Sequence, residues 1–207
     1  MIKISTSILS SDNKIESIHK LNNTNNDYLH IDTMDGIFVP NKQMPIEDIL
    51  EYEKISKVPL DIHLMVENPI EYIEKLNNKN IEYITIHYEI NKNINEIINK
   101  IKSLGYKVGL SIKPKTETKE IYKYLDQIDM VLIMSVEPGF GGQKFIPESI
   151  NKAKDIKEKN NNITIEMDGG IKDENINLLT KYVDIAVVGS YITNKIDYNE
   201  AINNLKN

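Results

Sequence analysis

Short runs rich in β-branched side chains recur along the chain, separated by longer segments of helical period, and this alternation restricts the fold more than any other feature. The runs are Lys3–Ile8, Tyr28–Asp32, Leu60–Met65, Tyr83–His87, Lys107–Ile112, Met130–Met134, Thr164–Asp168 and Ile185–Val188. Each has the usual length of a strand. Between them, NEIINKIKSLG (residues 95–105) places Ile97, Ile98, Ile101 and Leu104 on one helical face, with Gly105 where a helix C-terminal glycine belongs. Similar patterns run through IEDILEYEKI, PIEYIEKL, TKEIYKYL and PESINKAKDI, with fainter ones after Ser11, Asp173 and Tyr198. Eight strand-like runs alternating with about eight helical segments predict parallel strands joined by right-handed crossovers. The 207 residues give about 26 per unit, near the lower limit for an eightfold barrel. The expected fold class is therefore α/β, a single (β/α)8 TIM barrel spanning residues 1–207. An open doubly wound sheet is the rival, but its first turn would usually carry a glycine-rich fingerprint, and here that turn reads SILSSD.

Composition narrows the partners. Net charge is −6, all 25 basic residues are lysine, and arginine is absent. A general nucleic-acid surface needs a basic excess, so no nucleic-acid partner is expected. Without a guanidinium fork, an anionic ligand would have to be held by lysines, hydroxyls and backbone N–H groups. Cysteine is absent, which excludes disulfides, thiolate metal sites and a cysteine nucleophile. No stretch approaches the roughly 18 apolar residues of a membrane helix. The opening MIKISTSILSSD lacks the pattern of a secretory signal, so a cytoplasmic location is the expectation. The asparagine runs NNTNN and KNNN read as surface filling between periodic segments rather than domain boundaries.

In a parallel barrel, chemistry collects at the C-terminal strand ends. The second strand ends LHIDTMDG, with His30 and Asp32 two apart and so on one face. The third reads DIHLM, with His63 near its end, and the seventh IEMDGG, with Asp168 at its end. Two imidazoles and two carboxylates converging on one mouth suit Zn²⁺, Fe²⁺ or Mn²⁺. His19 falls mid-helix and is expected to face solvent. His87, in ITIHYE, is expected to bond or pack beside the mouth. After the last three strands come SVEPGFGGQKF, DGGI and VVGSYI, whose glycines let backbone N–H groups approach an anion. Met34, Met65 and Met134 fall at strand ends, where they can line a pocket and keep water out. Lys113 ends the fifth strand in SIKPKT, a place where a Schiff-base lysine could stand.

From SILSSD through LHIDTMDGIFVPN, DIHLMVENP, VGLSIKP and MSVEPGFGGQKFIPES to EMDGGI and VVGSYI, the chain resembles the ribulose-phosphate 3-epimerases. The blocks cover nearly the whole sequence in the family's order. The resemblance implies a metal-dependent barrel interconverting ribulose 5-phosphate and xylulose 5-phosphate in the pentose phosphate pathway. One divalent ion (Zn, Fe(II) or Mn) would be held by His30, Asp32, His63 and Asp168. Asp32 and Asp168 would double as the acid/base pair. Ser7 and His63 would contact substrate, while Gly139, Phe140, Gly141, Gly142, Gly169, Gly170, Gly189 and Ser190 would hold its phosphate end. The resemblance also implies a homo-oligomer, and gives Lys144 no firm role. A six-carbon ketose phosphate such as allulose 6-phosphate is the alternative substrate. Two departures stand out: Thr6 where the family usually has proline before SILS, and KQMP where it usually continues into a glycine-containing segment.

Overall fold

A computed structural model of the chain describes residues 1–77 and 79–206. Strands β1 (Lys3–Ser7), β2 (Tyr28–Asp35), β4 (Leu60–Met65), β5 (Ile81–His87), β6 (Lys107–Ile112), β7 (Met130–Met134), β8 (Thr164–Asp168) and β9 (Ile185–Val188) lie side by side, all parallel. Pairing of β1 with both β9 and β2 closes them into an eight-stranded barrel. The expected strands are all present, and β2 runs on three residues beyond Asp32. That extension pairs antiparallel with a strand the periodicity does not reveal, β3 (Lys42–Gln43). Two residues are too few for any pattern to register.

Around the barrel stand helices α1 (Lys14–Leu21), α2 (Ile46–Ile55), α3 (Ile70–Ile73), α4 (Ile94–Ser103), α5 (Ser149–Lys159), α6 (Asp173–Ile176), α7 (Ser190–Thr193) and α8 (Tyr198–Lys206). Asn13 and Asn93 cap α1 and α4, each side chain accepting a backbone N–H of the first turn. On α4, Ile97, Ile98 and Ile101 are buried, whereas Leu104 at its end is exposed. The TKEIYKYL segment forms a 3-10 helix (Thr118–Tyr124) instead of an α-helix. Its β-branched and aromatic residues favour the α-helix weakly. The hydroxyls of Thr118 and Tyr122 both donate to Asp155 of α5, which fixes the segment from outside.

The main core fills the space between barrel and helices, with isoleucines at both surfaces. Each buried isoleucine contributes about 1.5–3 kcal/mol. The barrel interior is different. At the bottom, Tyr28, Tyr83, Met130 and Ile185 form a separate cluster, drawn from alternate strands in the layered manner of such barrels. Above them the lining turns polar: Ser5, His30, Asp61, Thr85 and Glu166 are fully or almost fully buried. Gly109 makes room in this layer, since a Cβ there would lie 2.1 Å from the Thr85 hydroxyl. Among the described residues no helix is long and apolar enough to cross a membrane.

Candidate active site

The polar interior continues upward into the mouth. Strand alternation places residues two apart on one face, so β2 delivers His30 and Asp32, β4 Asp61 and His63, and β8 Glu166 and Asp168. Ligand-type atoms of His30, Asp32, His63 and Asp168 all lie within 4.8 Å of one another. His30 Nε2 and His63 Nδ1 sit 3.3 and 3.2 Å from the same oxygen, Asp32 Oδ1. The other Asp32 oxygen accepts a hydrogen bond from the Ser7 hydroxyl at 2.7 Å.

The supporting contacts decide what this cluster can hold. Asp61 Oδ2 lies 2.6 Å from His30 Nδ1 and also accepts from the Ser5 hydroxyl at 2.7 Å. With its Nδ1 proton committed to Asp61, a neutral His30 turns a lone pair at Nε2 toward the site, and that buried atom has no hydrogen-bond partner. Carboxylate–histidine pairs of this kind are the usual support of a metal-ligating imidazole. Nitrogen and carboxylate donors from three strands, crowded into one small gap, fit a divalent ion.

The charges of the two candidate acid/base residues diverge. Burial pushes the Asp32 carboxyl up, but His30 and His63 outweigh it and hold it below the usual range. Burial, reinforced by the Asp32 charge, pushes Asp168 up to about 7. Burial also opposes a charge on His30, yet Asp61 and Asp32 outweigh it and raise its pKa well above the ordinary value. His63 is lowered, chiefly by burial.

Beside this cluster opens a cavity of about 830 Å³. Its lining holds Ser7, Asp32, Asp168, Met34, Met65 and Met134, and the glycine turns Gly139 to Gly142, Gly169, Gly170 and Gly189 with Ser190. The structure places every site residue expected from the sequence in this cluster or in the cavity wall, Phe140 among them although it is 56% exposed. Gly189 precedes α7, so the short extra helix stands at the cavity edge. Gly170 has φ +66°, and a Cβ there would come within 2.3 Å of Phe145 N. Only glycine allows the two turns to approach so closely. Ser135 locks them from behind: its hydroxyl bonds the carbonyls of Asp168 and Gly169, both at 2.8 Å.

Lys144 and Lys172 also line the cavity. Lys113 does not belong to that wall; its amine stands over the Phe38 ring, 3.9 Å from the centroid. His19 is exposed, as expected. His87 is fully buried, with Nε2 2.8 Å from His63 Nε2 and Nδ1 3.2 Å from Glu89. Sequence reasoning passed over Asp61, Glu166 and Glu89. The signal was present, because Asp61 and Glu166 stand two residues before His63 and Asp168 and must share their faces.

Comparison with known proteins agrees with this geometry. Residues 3–193 match the Ribulose-phosphate 3 epimerase family. The ribulose-phosphate 3-epimerase of Helicobacter pylori (strain J99) is 39% identical over 216 residues, covering 100% of this chain and 97% of that protein. That of Aquifex aeolicus is 41% identical over 185 residues, covering 87% and 83%. Among solved structures, a 3-hexulose-6-phosphate synthase superposes with a TM-score of 0.74 at 11% identity, covering 99% of this chain and 98% of its own, a likeness of fold. On these matches, the chain belongs to the ribulose-phosphate 3-epimerase family.

Proposed function

We propose that the chain is a metal-dependent epimerase that interconverts ribulose 5-phosphate and xylulose 5-phosphate by inverting C3. The observation that carries this reading is the quartet His30, Asp32, His63 and Asp168, gathered within 4.8 Å at the foot of a glycine-walled cavity. Inversion beside a C2 ketone requires taking the C3 proton from one face and returning a proton to the other. Two carboxyl groups in opposite protonation states can do this, and the site separates them. Asp32, kept ionised beside His30 and His63, takes the C3 proton; Asp168, whose protonated form burial and the Asp32 charge favour, delivers a proton to the opposite face. The electron pair of the broken C–H bond passes into an enediolate and returns to form the new C–H bond. For the reverse reaction the roles exchange.

The four residues would hold one divalent ion, which when bound stabilises the negative charge developing on the substrate oxygens. The Ser7 hydroxyl fixes the orientation of Asp32. Met34, Met65 and Met134 supply apolar walls that limit water near the intermediate. The turns around Gly141, Gly170 and Gly189 offer backbone N–H groups to the phosphate, and Lys144 and Lys172 add positive charge. This suits a chain without arginine. Anchoring the far end of the substrate fixes C3 between the carboxyls.

The test is turnover in D2O with zinc- or manganese-loaded protein. Ribulose 5-phosphate is expected to yield xylulose 5-phosphate carrying deuterium at C3, with activity lost after chelation. Product without deuterium, or faster turnover of allulose 6-phosphate, would overturn the reading.

A further inference from the structure

From the quartet a line of buried polar contacts leads away to Glu89, and the proposed reaction does not itself require it. Glu89, just past β5, accepts the Lys113 backbone N–H at 2.7 Å and the Thr116 hydroxyl, both on Oε1. Its other oxygen, Oε2, faces His87 Nδ1 at 3.2 Å. His87 Nε2 in turn faces His63 Nε2 at 2.8 Å, and His63 Nδ1 faces Asp32 Oδ1. Both imidazoles are fully buried.

The proton positions along this line follow from which atoms can donate. The Glu89 carboxylate only accepts, so the hydrogen bond to it must come from His87 Nδ1–H. A neutral His87 then carries a lone pair at Nε2. The short contact to His63 Nε2 needs one proton, and His63 must supply it. His63 is thereby left with its lone pair at Nδ1, the atom that belongs to the quartet. The opposite assignment would set a bare His87 nitrogen against the Glu89 carboxylate, leaving both unpaired in a buried place at about 1–3 kcal/mol per group, and would turn a His63 Nδ1 proton to Asp32 Oδ1, which leaves no lone pair there for a cation.

We propose that His87 and Glu89 are positioning residues that fix the tautomer of His63 and so aim its Nδ1 lone pair at the cation site. This rests on the metal-centre reading above and extends it to two residues outside the quartet. It mirrors the other imidazole, where Asp61 orders His30 directly; here the carboxylate acts through an intervening ring. The surroundings hold the relay still. The Phe38 ring lies against His87 with centroids 4.7 Å apart, and the Lys113 amine stands over the Phe38 ring. Asp35 ties down the loop that carries Phe38, accepting the backbone N–H groups of Ile37 and Phe38. Lys152 donates to the carbonyls of Lys113 and Thr116, pinning the segment that holds Glu89.

The chain has four histidines, so a long-range proton–nitrogen NMR spectrum of the rings is simple enough to assign. In the wild-type protein, with and without zinc, His63 is expected to carry its proton on Nε2 and His87 on Nδ1. A His87 proton on Nε2, or zinc coordination through His63 Nε2, would overturn the proposal. Zinc affinity, measured by competition with a chromophoric chelator, supplies a second reading. His87→Leu removes the acceptor and is expected to weaken zinc binding by about 10- to 100-fold. His87→Gln keeps an acceptor for His63 and is expected to restore most of that loss. Equal affinity in wild type, His87→Leu and His87→Gln would overturn the relay. Absence of zinc binding by the wild type would instead overturn the metal centre, while the ring tautomers would still report on the relay alone.

Discussion

Asp168 and Asp32 are the same chemical group in two environments, and that difference is what the proposed proton transfer uses. Asparagine at either position keeps the shape and removes the proton function, so Asp32→Asn or Asp168→Asn is expected to fold and to lose turnover by about a hundredfold or more. Near-wild-type turnover of either variant at saturating metal would remove the two-base assignment. The same divergence has a consequence for stability. Asp168 is raised to about 7 in the folded protein, above the ordinary carboxyl value. Between that ordinary value and about 7 the folded state binds a proton that the unfolded state does not, so this residue's contribution to stability declines as pH rises through that window. Asp32 is lowered, so its contribution is lost in the opposite sense, as pH falls through its folded value. Thermal melts of metal-free protein should therefore show Asp168→Asn gaining on the wild type from pH 4 to pH 8. A constant difference across that range would contradict the assignment.

At the scale of elements, the strands were legible because their β-branched, apolar runs are compact and recur between segments of helical period. The helices were less so. TKEIYKYL has helical spacing, yet its geometry is set by Asp155 on another element, which no local pattern records. The segment KQMP after FVPN is a second instance. Met44 adopts φ +44°, the only positive φ at a non-glycine position among the described residues, while its side chain is buried. A glycine-containing segment would accept that backbone freely; this chain accepts the strain and fills the core with methionine. Such strain costs about 1–3 kcal/mol. Met44→Ala should lose the packing and keep the strain, whereas Met44→Gly loses the packing and relieves it. Chemical denaturation is expected to rank Gly above Ala by about 1 kcal/mol, the reverse of the usual order, and the usual order would show that the strain is absent. In the glycine turns, Gly170→Ala must push apart backbone atoms of Gln143 and Phe145. The expected result is a Michaelis constant for ribulose 5-phosphate raised about tenfold or more, worth about 1.4 kcal/mol. An unchanged constant would remove the phosphate role of this turn.

Across the whole molecule, the barrel brings together side chains spread from Ser7 to Ser190, and the sequence disclosed the members of the site better than their support. His30, Asp32, His63 and Asp168 could be picked out because each falls at or toward the C-terminal end of a strand-like run. Asp61, Glu166 and Glu89 could not be ranked in the same way, since their worth lies in which imidazole or carboxylate stands across the barrel from them. That interior carries several buried carboxyl groups with little to neutralise them except the two imidazoles. Oxygens of Asp61 and Glu166 and His30 Nε2 are left without hydrogen-bond partners. A divalent ion at the quartet would act on the entire barrel, because its ligands come from β2, β4 and β8 and it binds only when all three are in register. Binding to the folded state alone stabilises by about 2.7 kcal/mol at a free concentration a hundred times the dissociation constant. For a domain of this size that corresponds to a rise in melting temperature of about 5–10 °C. Melting of chelator-treated protein titrated with zinc or manganese should therefore climb with metal concentration, and His63→Ala should abolish the climb while leaving the barrel's far-ultraviolet circular dichroism unchanged. A melting temperature indifferent to both chelator and metal would mean that the polar interior is satisfied without a cation, and the proposed epimerisation would lose its source of charge stabilisation.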